Sequence, residues 1–136
     1  MRVSLDAGAR KPERAHPDDA GLDLFSREAV RIPARGSAVI DTGVHTEIAE
    51  GCCGILISKS GLNIKHGILS TGLIDSSYRG SIRAKLYNNT DEDYIVEVGD
   101  KITQLVILPC ELVDVEVVGE LTETERGENG FGSTGR

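Results

Sequence analysis

The sequence predicts an all-β protein built as an antiparallel barrel or jelly roll, and three observations carry that expectation. Short runs rich in Val, Ile and Leu recur at near-even spacing along the 136 residues. Gly, Pro, Asn and Asp fall between these runs as turn signals. No window holds a sustained 3.6-residue apolar period, so helices do not compete for the same residues. Many short strands without an internal repeat close most simply into a barrel or a double-sheet jelly roll.

In chain order, strands are expected at residues 3–5, 30–32, 38–40, 44–48 and 53–57. A second group is expected at 82–86, 94–98, 102–108 and 112–118. Turns separate them at 33–36, 50–51 and 88–91, and Gly99-Asp100 forms a tight entry into a strand. One helical turn is expected after Ser60, whose hydroxyl can cap its start. A domain of residues 1–119 is followed by a polar, then glycine-rich stretch at 120–136, with Phe131 its only aromatic residue. Such a segment buries too little apolar surface to order itself, so it reads as a frayed tail or as an arm that folds over a ligand.

The chain is large enough to bury a core without disulfide or structural metal. That core is aliphatic, because the aromatic residues are only Phe25, Phe131, Tyr78, Tyr87 and Tyr94. Fifteen Lys and Arg against 22 Asp and Glu give a net charge of −7. A surface of that sign repels polynucleotides and excludes nucleic acid as a partner. A small anion fits only if a local nest of donors, or a cation carried with it, offsets the field. Cys52, Cys53 and Cys110 are odd in number and lack zinc spacing. No signal-peptide run and no stretch of eighteen apolar residues occurs, so a cytoplasmic protein with no membrane partner and reduced thiols is expected.

Five patches are unusual for a plain β-scaffold. Ala20-Gly21-Leu22-Asp23-Leu24 sets an acid between leucines, either as a turn carboxylate capping backbone N–H groups or as a functional group. Ser58-Lys59-Ser60-Gly61-Leu62 follows an apolar run and offers hydroxyl, ammonium and backbone donors suited to phosphate, although Ser-x-Ser-Gly is also common turn chemistry. In Gly72-Leu73-Ile74-Asp75-Ser76-Ser77-Tyr78-Arg79-Gly80, Asp75 ends an apolar run three residues before a tyrosine. A carboxylate there can accept a proton from an attacking water, and the ring can face a sugar or base; the plain alternative is a loop Asp and a rim Tyr. In Gly99-Asp100-Lys101-Ile102-Thr103-Gln104-Leu105, period-two alternation puts Gln104 on one face with Ile102 and Val106, predicting a buried amide with a dedicated partner. Finally, residues 126–136 match the glycine spacing of a Walker A loop. Ser133 stands where the phosphate-binding lysine belongs, and no helix follows. What remains is a donor-rich strip carrying one ring, Phe131, and two arginines, Arg126 and Arg136.

These five stretches, in this order and spacing, resemble the five motifs of the trimeric dUTP pyrophosphatases over essentially the whole chain. The resemblance implies a jelly-roll-like β-barrel subunit, a homotrimer with sites shared between subunits, and residues 120–136 as an arm closing over a neighbour's site. It implies hydrolysis of dUTP to dUMP and pyrophosphate with Mg²⁺, supplying dUMP and keeping uracil out of DNA. Asp75 would activate the attacking water, and Asp23 would touch Mg²⁺ through water. The implied substrate-binding set is Lys59, Ser60, Gly61, Gly72, Leu73, Ile74, Tyr78, Arg83, Gln104, Arg126, Phe131, Gly132 and Ser133. Uracil would be read by main-chain groups of a hairpin at about 67–73, with Tyr78 under the deoxyribose and Phe131 stacked on the base. Arg79 receives no catalytic role. Lys59, Ser77 and Asn129 depart from the usual arginine, acid and glycine of the pattern, and the first exchange replaces a bidentate fork by a point charge.

Two rivals stand beside this reading. A dCTP deaminase shares the fold but needs a glutamate near the pyrimidine, and residues 67–86 contain none. A non-catalytic nucleotide-binding module would have no need of Asp75 or the arm, and this chain has both.

Overall fold

Residues 1–130 are described by the computed structural model of the chain. Its regular elements are β1 (Arg2–Leu5), β2 (Leu22–Phe25), β3 (Val30–Ile32), β4 (Ser37–Asp41), β5 (Val44–Glu47) and β6 (Cys52–Ile57). These are followed by α1 (Ser60–His66), β7 (Ile68–Ile74), β8 (Arg83–Asn88), β9 (Tyr94–Val96) and β10 (Lys101–Pro109). A six-stranded sheet runs in the order β2-β10-β6-β7-β8-β4, and two small sheets pair β1 with β5 and β3 with β9. The recorded pairings are all antiparallel. The fold is the expected all-β, jelly-roll-like one.

Alternation explains why these residues make strands. In β8, Ala84, Leu86 and Asn88 point inward while Arg83, Lys85 and Tyr87 face out. The inward side chains join Leu24, Ile32, Ile40, Val44, Leu56, Ile68, Ile82, Val96, Ile102 and Leu105 in one aliphatic core. Each fully buried Leu or Ile contributes about 1.5–3 kcal/mol over an exposed one. The buried amide of Asn88 is satisfied: its nitrogen donates to the Ile32 and Glu92 carbonyls at 3.2 and 2.7 Å, and its oxygen accepts from Thr90. This amide closes the turn expected at 88–91.

Several expectations change. The stretch around Asp23 is not a turn but strand β2, with Asp23, Leu24 and Phe25 buried. The helix is seven residues long, and Ser60 is its first residue; Lys59 holds the N-cap position with no side-chain cap. Gly67 ends the helix at φ 62°, where a β-carbon would lie 2.7 Å from Thr90 Cγ2. Residues 67–73, expected as a hairpin, run from this cap into the single strand β7, which pairs on one side with β6 and on the other with β8. In β10, a register shift between Lys101 and Thr103 breaks the simple alternation. Thr103 and Leu105 therefore go inward, and Gln104 is half-buried on the other side. The expected strand at 112–118 does not form. Its apolar residues Leu112, Val113, Val115 and Val117 are 72–93% exposed. The segment pairs with no strand among the described residues, and without a partner its β-branched residues build no strand. No helix among the described residues is long and apolar enough to cross a membrane.

Candidate active site

The first polar cluster grows from the sheet interior. β2 and β10 pair with Asp23 opposite Gln104, and β10 and β6 pair with Gln104 opposite Ile57, two residues before Lys59. Three strands thus converge on one carboxylate. Asp23 is 1% exposed, yet Lys59 Nζ donates to its Oδ1 at 2.6 Å and Lys101 Nζ forms an ion pair with its Oδ2 at 2.7 Å. Gln104 Nε2 donates to the same Oδ1 at 3.3 Å. Burial pushes the carboxyl pKa up, but the hydrogen bonds and charges of Lys101 and Lys59 outweigh it and hold it below the usual aspartate range. One carboxylate facing two ammonium groups leaves a net positive spot on an acidic protein, which suits an anion. Ser60 and Gly61 follow at the start of α1.

The second cluster lies on the loop after β7. Its backbone turns back on itself through Tyr78 N–H to the Asp75 carbonyl at 3.1 Å. The Tyr78 hydroxyl donates to the Ser81 carbonyl at 3.1 Å, leaving a ring 44% exposed. Gly80 makes room for that ring, since a β-carbon on it would lie 2.3 Å from the Tyr78 hydroxyl oxygen. Arg79 Nη1 folds over the loop onto the Ser76 and Tyr78 carbonyls at 2.6 and 3.0 Å. Asp75 is exposed and lines a concavity of about 480 Å³ with Cys52, Cys53, Ser76, Ser77, Arg79 and Cys110. The three cysteines are free and half-buried. Burial, then the neighbouring Cys53 and Asp75, push the Cys110 thiol up, so it stays protonated at neutral pH.

The structure therefore brings Asp23, Lys59 and Gln104 together and sets Asp75 and Tyr78 apart. Gly54 pairs with Ile74 and Ile57 with Thr71, so Asp75 and Lys59 leave the β6–β7 pair at opposite ends. At about 3.3 Å per residue, the six positions between Lys59 and the level of Asp75 span roughly 20 Å. Leu73 is 62% exposed beside buried Ile74, Gly72 is half-buried, and Arg83 opens β8 across from Asp41. Arg126 is exposed, its Nε donating to the Asn129 carbonyl at 3.0 Å. Phe131, Gly132 and Ser133 lie outside the described residues. Sequence reasoning missed Lys101, which alternation puts on the face opposite Gln104; the register shift is what brings it to Asp23. It also missed Gly80, whose signal is its place two residues after Tyr78.

No group of three or more His, Cys, Asp or Glu among the described residues can hold a metal ion. Asp23 has an ammonium group on each oxygen, so these residues do not form a resident metal cage.

Fold and site together define a class: an all-β protein with a cationic cluster, built on a buried carboxylate and suited to a polyanion, and a separate, open carboxylate. Comparison with known proteins agrees. The dUTPase family model matches residues 8–135. The chain is 44% identical to the deoxyuridine 5'-triphosphate nucleotidohydrolase of Paramecium bursaria Chlorella virus 1, covering 96% of this chain and 94% of that one. It is 46% identical to the Clostridium acetobutylicum enzyme of the same name, over 96% and 92%. The dUTPase of Staphylococcus bacteriophage 80alpha with bound dUPNHPP superposes with a TM-score of 0.92 at 35% identity, over 99% and 98% of the chains. A dUTPase from the S. aureus phage phi11, described with a structural Mg(II) ion, gives 0.81 at 33% identity over 88% and 96%. The chain belongs to the dUTPase family.

Proposed function

We propose that this chain hydrolyses Mg·dUTP to dUMP and pyrophosphate in a homotrimer whose sites combine groups from neighbouring chains. The observation that carries the shared site is the separation of roughly 20 Å between the ends of the β6–β7 pair. A base acting on the α-phosphate must lie within hydrogen-bond reach of the attacking water. Lys59 and Asp75 of one chain are too far apart for that, so the Asp75 loop of one subunit meets the cationic cluster of another.

In this reading Asp75 takes a proton from water as the water oxygen attacks the α-phosphorus. The bond from the α-phosphorus to the bridging oxygen breaks, and pyrophosphate leaves with the electron pair. Lys59, Ser60, Gly61, Gln104 and, from the arm, Arg126 and Ser133 hold the phosphates, and Lys101 joins them. Mg²⁺ carried on the triphosphate would supply neutralisation of part of its charge. A water-mediated contact of Asp23 with that ion requires one lysine to turn from Asp23 to the phosphates. The main chain at 72–74 reads uracil, Tyr78 packs under the deoxyribose, Arg83 lies near the substrate, and residues 120–136 close over the site with Phe131 on the base. Phosphoryl transfer asks chiefly for such positioning and charge stabilisation.

The test is product analysis with dUTP, UTP, dCTP and dTTP, each with Mg²⁺. Rapid conversion of dUTP alone to dUMP and pyrophosphate is expected. Formation of dUTP from dCTP would transfer the case to a deaminase, and binding without turnover to a non-catalytic module.

A further inference from the structure

The loop carrying Asp75 and Tyr78 is tied to the rest of the subunit near its far end. Ile82 N–H donates to the Val44 carbonyl at 2.8 Å, and Thr42 Oγ1 donates to the Ile82 carbonyl at 2.7 Å. Two side chains hold the residues before that. Ser81 Oγ donates to Asp41, and His45 Nδ1 lies 2.8 Å from the Arg79 carbonyl oxygen. The other ring nitrogen of His45, Nε2, lies 3.1 Å from Asp6 Oδ1.

Both partners of this ring are acceptors. A carbonyl and a carboxylate each need an N–H, and a neutral imidazole has only one to give. Either neutral tautomer sets a nitrogen lone pair against an oxygen lone pair. We propose that His45 is a positioning residue for the Asp75–Tyr78 loop, bridging Asp6 and the Arg79 carbonyl as an imidazolium and holding both only when both ring nitrogens carry protons.

The charges around the ring favour that form. Asp6 faces it from the end of β1 and Asp41 from β4, while Arg27 bridges those two carboxylates at 3.4 and 2.9 Å. Arg79 turns its guanidinium back onto its own loop. Arg2 and Glu47, which share a concavity with His45, pair with each other. The Arg79 carbonyl bond, then Asp6, raise the His45 pKa above 6.5. A raised histidine pKa means the bridge is complete below the unfolded value and is lost as pH rises through the folded one. The loop is therefore held at acidic to neutral pH and loosens on the alkaline side.

The effect on turnover rests on the reading of Asp75 as the general base, so the experiment separates the two. Two substitutions divide the bridge. His45→Asn places an amide nitrogen near the Nδ1 position and keeps a donor for Arg79 that does not titrate. His45→Gln reaches the Nε2 position and keeps only Asp6. In wild type, kcat should fall on the alkaline limb as His45 loses its proton. His45→Asn should keep kcat within about twofold of wild type at neutral pH and lose that limb, while His45→Gln should lower kcat about tenfold with KM changed less than threefold, because small misplacements act on the chemical step. NMR gives a readout independent of catalysis. The Gly80 amide shares a peptide unit with the Arg79 carbonyl, and its resonance should follow the His45 titration in wild type but show no such titration in His45→Gln. An alkaline limb identical in wild type and His45→Asn, or a Gly80 resonance blind to His45, would overturn the bridge. A Gly80 resonance that tracks His45 while Asp75→Asn keeps full turnover would uphold the bridge and overturn the role of Asp75 instead.

Discussion

Asp23 stands in β2 and Asp75 on the loop that follows β7, with two strands between β2 and β7 in the order of one sheet, and their surroundings are opposite. Asp23 is buried, and each of its oxygens meets a lysine. Asp75 is exposed at the rim of an open concavity, with no cation paired to it among the described residues. A carboxylate clamped between two ammonium groups is a poor proton acceptor, because taking a proton would strip both lysines of their counter-charge. An open carboxylate with no competing cation can take one. The contrast supports the proposal that Asp23 frames the local charge while Asp75 accepts the proton.

The hardest strike at this contrast is Asp75→Asn. It keeps the shape of the loop and removes the base, so kcat should fall roughly 10²–10⁴-fold with little change in KM. Mixing this variant with Lys59→Ala then tests whether the two clusters meet across subunits. Random exchange within a trimer gives about one site in four with both parts intact, so activity should reappear on mixing. A mixture as dead as its components would place both clusters in one chain's site and remove the basis of the shared geometry.

The difference between the two carboxylates was only half legible in the residue order. Asp75, Tyr78 and the Lys59-Ser60-Gly61 turn stand out by spacing, and β8 shows its face by plain alternation. The burial of Asp23 was hidden, because the four residues between Gly21 and Ser26 read equally as a turn or a strand until β10 supplies a partner. Lys101 was hidden for a sharper reason: one register shift inside β10 moves a side chain to the other face, and no residue type announces it. The segment at 112–118 errs the other way. Its composition is that of a strand, but composition does not state whether the same chain offers an edge to pair with. His45 was passed over because its partners, Asp6 and the Arg79 carbonyl, are 39 and 34 positions away.

A second strike falls on stability rather than turnover. Asp23→Asn leaves two ammonium groups without their carboxylate, and loss of a charged hydrogen-bond acceptor at a buried site costs about 1.5–3 kcal/mol. Its pH dependence has a defined sign. The folded carboxyl titrates below its ordinary value near 3.8, so its contribution is present above that value and disappears as pH falls through the lower folded one. Urea unfolding at fixed protein concentration should show the gap between wild type and Asp23→Asn unchanged from pH 7 to 5 and closing below pH 4. A gap that stays constant as pH falls below 3.8, or no gap at pH 7, contradicts the picture of a clamped carboxylate.

The smallest change probes the Asp75 side through its neighbour. Gly80→Ala adds one methyl group that would lie 2.3 Å from the Tyr78 hydroxyl oxygen and 2.5 Å from its Cζ, closer than atoms approach without moving. The ring is the part free to yield, because it is exposed and, among the described residues, tethered by its hydroxyl's bond to the Ser81 carbonyl. If Tyr78 forms the floor under the deoxyribose, tilting it should open space for a 2′-hydroxyl, and the preference for dUTP over UTP should drop about tenfold, near the scale of one well-placed steric contact. Turnover of dUTP should suffer less than in Asp75→Asn, since the carboxylate is untouched. A double-mutant cycle isolates the cause: in a Tyr78→Ala background the added methyl group meets no ring, so Gly80→Ala should change selectivity by less than twofold. An equal loss with and without the ring would mean that the glycine serves the backbone of the loop, and Tyr78 would then no longer be the group that Gly80 accommodates.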